Sequence, residues 1–214
     1  KCIINTINPH SYSVAKKDNL FAEALLQSNV LLPDGSGIVL ATKLLTGKKI
    51  KKIAGADIHQ YMLEQANANK QNVFYLGSSQ NTLDLIQERI LKEFPNIKVA
   101  SYSPPFKPQF TEKETSAMIS VVNAFQPYYL FVGMTAPKQE KWVYANKDRI
   151  DAKVITSIGA VFDFYAGNIN RAPKWMIDFG IEWLHRSLKS RRLLIRNLKS
   201  NPIFLYDIIK EKLK

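Results

Sequence analysis

The chain has 214 residues, 46% of them hydrophobic and 22% charged, with 30 Lys and Arg against 18 Asp and Glu for a formal net charge of +12. This is ordinary globular composition, long enough for one sizeable core with an appendage. No apolar run reaches the length of a membrane-spanning helix, no stretch reads as a signal peptide, and the single Cys2 closes no intramolecular disulfide.

The charge is uneven. From Arg171 to Lys214 there are 11 Lys and Arg against 4 Asp and Glu, so the last fifth of the chain holds more than half of the excess. A basic terminal segment points to an anionic partner: nucleic acid, anionic lipid or a phosphorylated substrate.

Taken in order, Cys2 to Thr6 reads as a strand and Ile7 to His10 as a loop, with a helix from about Tyr12. Leu20, Phe21, Ala24 and Leu25 form a further apolar helical face, and Val30 to Leu32 a short strand. Pro33-Asp34-Gly35-Ser36-Gly37 then turns the chain into a helix from about Ile38 to Leu45. Lys48 to Lys52 is a basic turn or strand edge, and Asp57 is placed to cap a helix from Ile58 to Asn69. Strands are predicted at Val73–Gly77, Ile97–Ser101, Tyr128–Gly133 and Val154–Gly159. The helices between them follow the Ser78–Asn81 turn, span Thr111–Phe125, and follow Pro137. This alternation predicts a Rossmann-like α/β fold, a parallel sheet covered by helices on both faces. After Gly167 only helices remain, at about Trp175–Leu188, Arg191–Lys199 and Pro202–Lys212. We therefore divide the chain into an α/β catalytic domain, residues 1–170, and a basic helical appendage, residues 171–214.

Polar residues gather at the predicted carboxyl ends of the strands: Thr6 and Asn8, Asp34, Ser78 and Ser79, Gln139 and Glu140, and Asp163. In an open parallel sheet these ends share the rim where ligands bind. A carboxylate there, such as Asp34, suits proton abstraction from a hydroxyl, while a helix cap is its commoner role. Gly35 permits the tight turn beside it. Asp163, between Phe162 and Phe164, is an awkward place for a charge that is neither paired nor working. Phe106 follows a strand and is placed to stack on a base, packing being the commoner role.

Several classes are disfavoured. There is no G-x-G-x-x-G, no P-loop and no G-x-S-x-G elbow. Three scattered histidines and one cysteine predict no zinc site, and no Asp-x-Asp pair is present to hold a divalent metal on a sugar nucleotide. A bound diphosphate would rest on N–H groups, lysine and arginine.

Taken together the motifs resemble the WecG/TagA/CpsF family of bacterial glycosyltransferases. The resemblance is carried by Thr6-Ile7-Asn8-Pro9, Leu32 to Val39, Gly55-Ala56-Asp57, and Val132-Gly133-Met134 leading to Pro137-Lys138-Gln139-Glu140-Lys141-Trp142. It continues through Gly159 to Gly167, Arg171-Ala172-Pro173-Lys174-Trp175 and Gly180 to Arg186, and so covers almost the whole chain. It implies an inverting, metal-independent transfer, without a cofactor, of an N-acetylmannosamine-type or related hexose. The donor is a UDP-sugar and the acceptor a polyprenyl-diphosphate-linked sugar, as in the synthesis of wall teichoic acid, capsule or other surface polysaccharide.

By the same resemblance Asp34 is the general base, Thr6 and Asn8 line the pocket with Gly35 and Asp57, and Gln139 and Asp163 lie near the nucleotide. Lys52 stands where the family usually has an arginine. Arg171, Arg191, Arg192 and Arg196 are nominated to stabilise the leaving diphosphate, on an appendage that meets the membrane and closes over the site. The implied location is cytoplasmic, peripheral on the inner face of the membrane, with an anionic lipid surface as partner, no nucleic acid, and a homo-oligomer allowed. The rival readings are a non-catalytic sugar-nucleotide-binding protein and a basic nucleic-acid-binding module.

Overall fold

A computed structural model describes the backbone of residues 1–214 and every side chain except those of Asp178, Arg186 and Lys189. The elements run β1 (Cys2–Ile7), α1 (Pro9–Ala15), α2 (Asn19–Leu26), β2 (Val30–Pro33), α3 (Ser36–Thr46), α4 (Gly55–Ala68), β3 (Asn72–Gly77), α5 (Gln80–Glu93) and β4 (Lys98–Tyr102). They continue with α6 (Glu112–Phe125), β5 (Tyr129–Gly133), α7 (Lys138–Asn146), β6 (Val154–Ser157), α8 (Gly159–Tyr165), α9 (Lys174–Asp178), α10 (Glu182–Lys189) and α11 (Arg191–Lys212). The six strands form one sheet in the order β2-β1-β6-β5-β3-β4, and the β1–β6, β6–β5, β5–β3 and β3–β4 pairs are parallel. The predicted α/β fold is the observed one.

The chain folds as two compact units. The first comprises Lys1–Asn5, Ala24–Leu31 and Gly55–Asn170. Its strands are apolar on both faces, as a doubly covered parallel sheet requires. Val73, Tyr75 and Phe131 point to one side, into a core completed by Leu63, Ile86, Ile90 and Phe162 from α4, α5 and α8. Phe74, Leu76, Leu130 and Val132 point to the other, against Met118 and Val122 of α6 and Trp142 and Val143 of α7. The period of two along each strand thus divides one apolar run between two cores.

The second unit comprises Thr6–Glu23, Leu32–Ala54 and Arg171–Lys214. Ala41 of α3 packs with Phe204 and Ile208 of α11, and Tyr12 and Ile38 close this smaller core. The rings of Tyr12 and Phe204 meet edge to face at 5.3 Å. Polar contacts add to it: Tyr12 donates to Asp207 at 3.1 Å, and Ser13 to the Ser200 carbonyl at 3.0 Å.

Four local expectations change. Helix α1 begins at Pro9 rather than near Tyr12, because Asn8 caps it: Asn8 Oδ1 accepts from the amides of His10 at 3.0 Å and Ser11 at 2.9 Å. Helix α4 begins at Gly55, so Asp57 lies in its first turn instead of at the cap, where its charge suits the helix dipole. The stretch expected as one helix over Trp175–Leu188 is two, α9 and α10, separated where Gly180 takes φ +71°. Conversely α11 runs unbroken through Pro202. Proline removes one helical hydrogen bond, and the burial of Ser200 on one side and Phe204 and Ile208 on the other holds both halves in line.

Asn197 is buried in α11 and donates to Ser187 Oγ at 2.7 Å; Ser187 in turn donates to the Trp183 carbonyl at 2.7 Å. A polar chain thus joins α10 to α11 at that point.

Candidate active site

In the second unit, three bonds draw distant segments to the Asp34 corner. The Asp34 amide donates to the Ile7 carbonyl at 2.8 Å, which brings the corner beside Thr6 and Asn8. The Ile53 amide donates to the Pro33 carbonyl at 3.0 Å, which returns the chain next to Lys52. Ser36 Oγ donates to the Gly180 carbonyl at 2.9 Å, which ties the start of α3 to the turn before α10. Asp34 itself is half-buried.

Gly35 takes φ +111°, a conformation that side chains disfavour, and a Cβ there would lie 3.9 Å from Pro9 Cδ and 4.0 Å from Asn8 Cβ. The Asp34–Gly35 backbone therefore lies close over the Asn8–Pro9 turn. Asn8 spends its amide oxygen on the α1 cap, so its Nδ2 donor is the group suited to a ligand oxygen.

Two of the expected cations meet on one carboxylate. Glu182 accepts from Arg171 Nε at 3.2 Å and lies 3.6 Å from Lys52 Nζ, with all three side chains largely buried. Residues 52, 171 and 182 are far apart in sequence, and Glu182 was not among the expected site residues. The one signal for it is a rare acid in a basic tail. Arg191 and Arg192 are exposed at the start of α11, and Arg196 is half-buried one turn later. Burial first, and the Arg196 charge second, lower the pKa of His10 to about 4, so His10 is neutral at pH 7.

In the first unit, the carboxyl ends of β3, β4, β5 and β6 are joined by short bonds. The Ser78 amide donates to the Gly133 carbonyl at 2.9 Å, and Ser103 Oγ to the Ser78 carbonyl at 2.8 Å. Gln139 Oε1 accepts from the amides of Met134 at 3.1 Å and Gly159 at 3.2 Å, while its Nε2 donates to Glu140 Oε1 at 2.9 Å. Gln139 thus fastens the loop after β5 to the start of α8. Asp163 is half-buried in α8, Asp57 exposed in α4, and Phe106 wholly exposed in the loop after β4.

Two groups here are buried: Glu140, which the sequence places at this rim without showing its burial, and Ser157, which the sequence does not single out. Glu140 Oε2 and Ser157 Oγ are buried without a hydrogen-bond partner among the described residues. Burial raises the Glu140 carboxyl to a pKa of about 7, although the bond from Gln139 opposes the rise. Among the described residues no three His, Cys, Asp or Glu side chains gather to hold a metal ion, and no helix is long and apolar enough to cross a membrane.

Glu140 carries a pH prediction. With its pKa raised from 4.5 to about 7 on folding, the folded chain holds a proton that the unfolded chain has lost across this window. Stability is therefore lost as pH rises through it. Buried His59, lowered from 6.5 to about 3 chiefly by burial, acts in the opposite sense and costs stability as pH falls below 6.5. Glu140→Gln keeps an acceptor for Gln139 and removes the ionisation. Thermal melts at about pH 5 and about pH 8 are expected to show the variant gaining up to about 3 kcal/mol on the wild type at the higher pH. Equal losses in both proteins would remove Glu140 as the source.

Comparison with known proteins agrees with the resemblance. The Glycosyl transferase WecG/TagA/CpsF family matches residues 1–214. The chain is 31% identical over 210 residues to the N-acetylglucosaminyldiphosphoundecaprenol N-acetyl-beta-D-mannosaminyltransferase of Bacillus subtilis (strain 168), covering 98% of this chain and 80% of that protein. It is also 31% identical over 211 residues to the Staphylococcus aureus (strain MW2) protein of the same name, covering 99% of this chain and 81% of that one. With the family matched from end to end and relatives aligned over nearly all of its length, this chain belongs to the WecG/TagA/CpsF family of glycosyl transferases.

Proposed function

We propose that the chain transfers an N-acetylmannosamine-type or related hexose from a UDP-sugar to a polyprenyl-diphosphate-linked sugar, with inversion and without a divalent metal. The names of the two relatives support the acceptor and the transferred sugar. One structural observation supports placing the reaction at the Asp34 corner. Thr6, Asn8, Asp34, Lys52 and Glu182 sit within a few residues of the three bonds that gather the second unit around its Asp34 corner, and Arg171 is paired with Glu182.

In this mechanism the acceptor hydroxyl attacks the anomeric carbon opposite the UDP. The new carbon–oxygen bond forms as the bond to the diphosphate oxygen breaks, and UDP leaves with the electron pair. Asp34 takes the hydroxyl proton as this happens. Asn8 Nδ2 and the Thr6 hydroxyl orient sugar oxygens, and Lys52 and Arg171 offset the charge that grows on the diphosphate. In that role the diphosphate competes with Glu182 for both cations. Residues 171–214 serve as the appendage that meets the acceptor, with Arg191, Arg192 and Arg196 facing anionic groups. The enzyme works at the inner face of the membrane as a peripheral protein.

The test is UDP release from a panel of UDP-sugars, with and without a short-chain polyprenyl-diphosphate-linked N-acetylglucosamine. Acceptor-dependent release from one donor, unchanged in chelator, is the expected result. Tight UDP binding with no release from any pair would leave a sugar-nucleotide-binding protein instead.

A further inference from the structure

Helix α3 starts at the Asp34 corner and ends in a lysine-rich loop. One side of it is accounted for: Ala41 is buried with Phe204 and Ile208 of α11. Nearby and towards its end, Leu40, Leu44 and Leu45 are 49%, 42% and 39% exposed. Leu40 and Leu44 lie one turn apart on the same face, and Leu45 lies one turn beyond Ala41, in the last turn of the helix. Lys43 of the same helix and Lys48, Lys49 and Lys51 of the loop after it are exposed as well. From Gly35 to Ala56 the chain has five lysines and no acidic residue, and the fifth, Lys52, pairs with Glu182.

Both ends of this excursion are fixed. Asp34 is bonded to Ile7 at the start, Ile53 to Pro33 on the return, and Gly47 closes α3 with its amide on the Lys43 carbonyl at 3.0 Å. A helix of 11 residues is about 16 Å long, so the lysine loop lies about one helix length from Asp34.

A single exposed leucine needs no explanation, but three within two turns, in a segment whose only charges are lysines, define a surface. Three occupants are conceivable. A second copy of the chain, meeting this face by a twofold axis, would set lysines against lysines. A nucleic acid would use the lysines and leave the leucines against water and phosphate. An anionic bilayer uses both: leucines enter the boundary between headgroups and acyl chains while lysines meet the headgroups.

We propose that the far half of α3 and the Lys48–Lys51 loop form a membrane contact separate from the arginine-rich tail, with Leu40, Leu44 and Leu45 inserted in an anionic lipid surface and Lys43, Lys48, Lys49 and Lys51 on its headgroups. The contact deepens the peripheral-membrane part of the function proposed above and rests on that reading only for the place of the acceptor. Because α3 is rigid, the contact holds the Asp34 corner at a set distance from the surface in which a polyprenyl acceptor is anchored.

The test uses the full chain and two variants, Lys48→Ala/Lys49→Ala/Lys51→Ala and Leu40→Ser/Leu44→Ser/Leu45→Ser, with circular dichroism to verify folding. Co-sedimentation is measured, without substrate, on vesicles of phosphatidylcholine containing phosphatidylglycerol and on phosphatidylcholine alone. Wild type is expected to bind the anionic vesicles, and the lysine variant to lose roughly a hundredfold in partitioning. The leucine variant is expected to lose at least about tenfold. Transfer to a water-soluble short-chain acceptor should be unchanged in both variants, while transfer to a long-chain acceptor in vesicles falls. Wild-type binding by either variant would overturn the proposal. So would a wild-type dimer in solution that the leucine variant abolishes without change in vesicle binding. If no protein shows transfer at all, the function proposed above fails, and the vesicle measurement still decides the contact.

Discussion

Asp34→Asn is expected to reduce turnover by about 10²–10⁴-fold while leaving the affinity for the UDP-sugar near that of wild type. The substitution keeps the size of the side chain, but removes its charge and its capacity to accept a proton. Two main-chain bonds, the Asp34 amide on Ile7 and the return of Ile53 to Pro33, help to hold the surrounding backbone and remain in the variant. A loss confined to kcat therefore reports proton transfer. The measurement is UDP release at saturating donor and acceptor, with UDP binding followed separately by calorimetry. Turnover within a few-fold of wild type would remove Asp34 as base. An equal loss of UDP affinity would make it a binding residue.

Gly77→Ala is expected to be the most damaging small substitution in the first unit. Gly77 ends β3 with φ +119°, and a Cβ there would run into the Gly133 carbonyl at the end of the neighbouring β5. Neither backbone can retreat, because both strands lie inside the sheet and Gly133 is itself packed against the Phe162 ring. The strained φ costs about 1–3 kcal/mol and the overpacking a similar amount. The expected loss is thus about 3–5 kcal/mol from a stability of about 5–15 kcal/mol. Gly47→Ala is the control: φ is +73° there too, but a Cβ meets nothing within 4 Å, and the expected loss is about 1 kcal/mol. Urea midpoints of the two variants give the comparison. Similar midpoints would show that the backbone conformation alone, and not the contact with Gly133, sets the cost.

Much of the fold is legible in the sequence because strand and helix periods are local. Val73 to Leu76 reads as a buried strand because four consecutive apolar residues serve two cores at once. Leu83, Ile86 and Ile90 read as a helix because their spacing sets them on one face. Errors fell where tertiary packing overrides a local signal. Pro202 announces a break, yet the helix continues because the residues on either side of it are held by α1 and α3. Asn8-Pro9 looks like a loop, yet it is the start of α1, since an asparagine oxygen can replace the missing helical carbonyl.

The site divides in the same way. The Asp34 corner, the Asn8-Pro9 turn and the basic tail are set by residue types in short runs, and a single sequence suffices to find them. Only the folded chain decides that Glu182 bridges Lys52 and Arg171, that Gln139 fastens Met134 to Gly159, and that Glu140 is buried with a raised pKa. The physical reason is range. Hydrogen bonds and ion pairs act over about 3–4 Å, and whether residues 52 and 182 come that close depends on the path of all the chain between them.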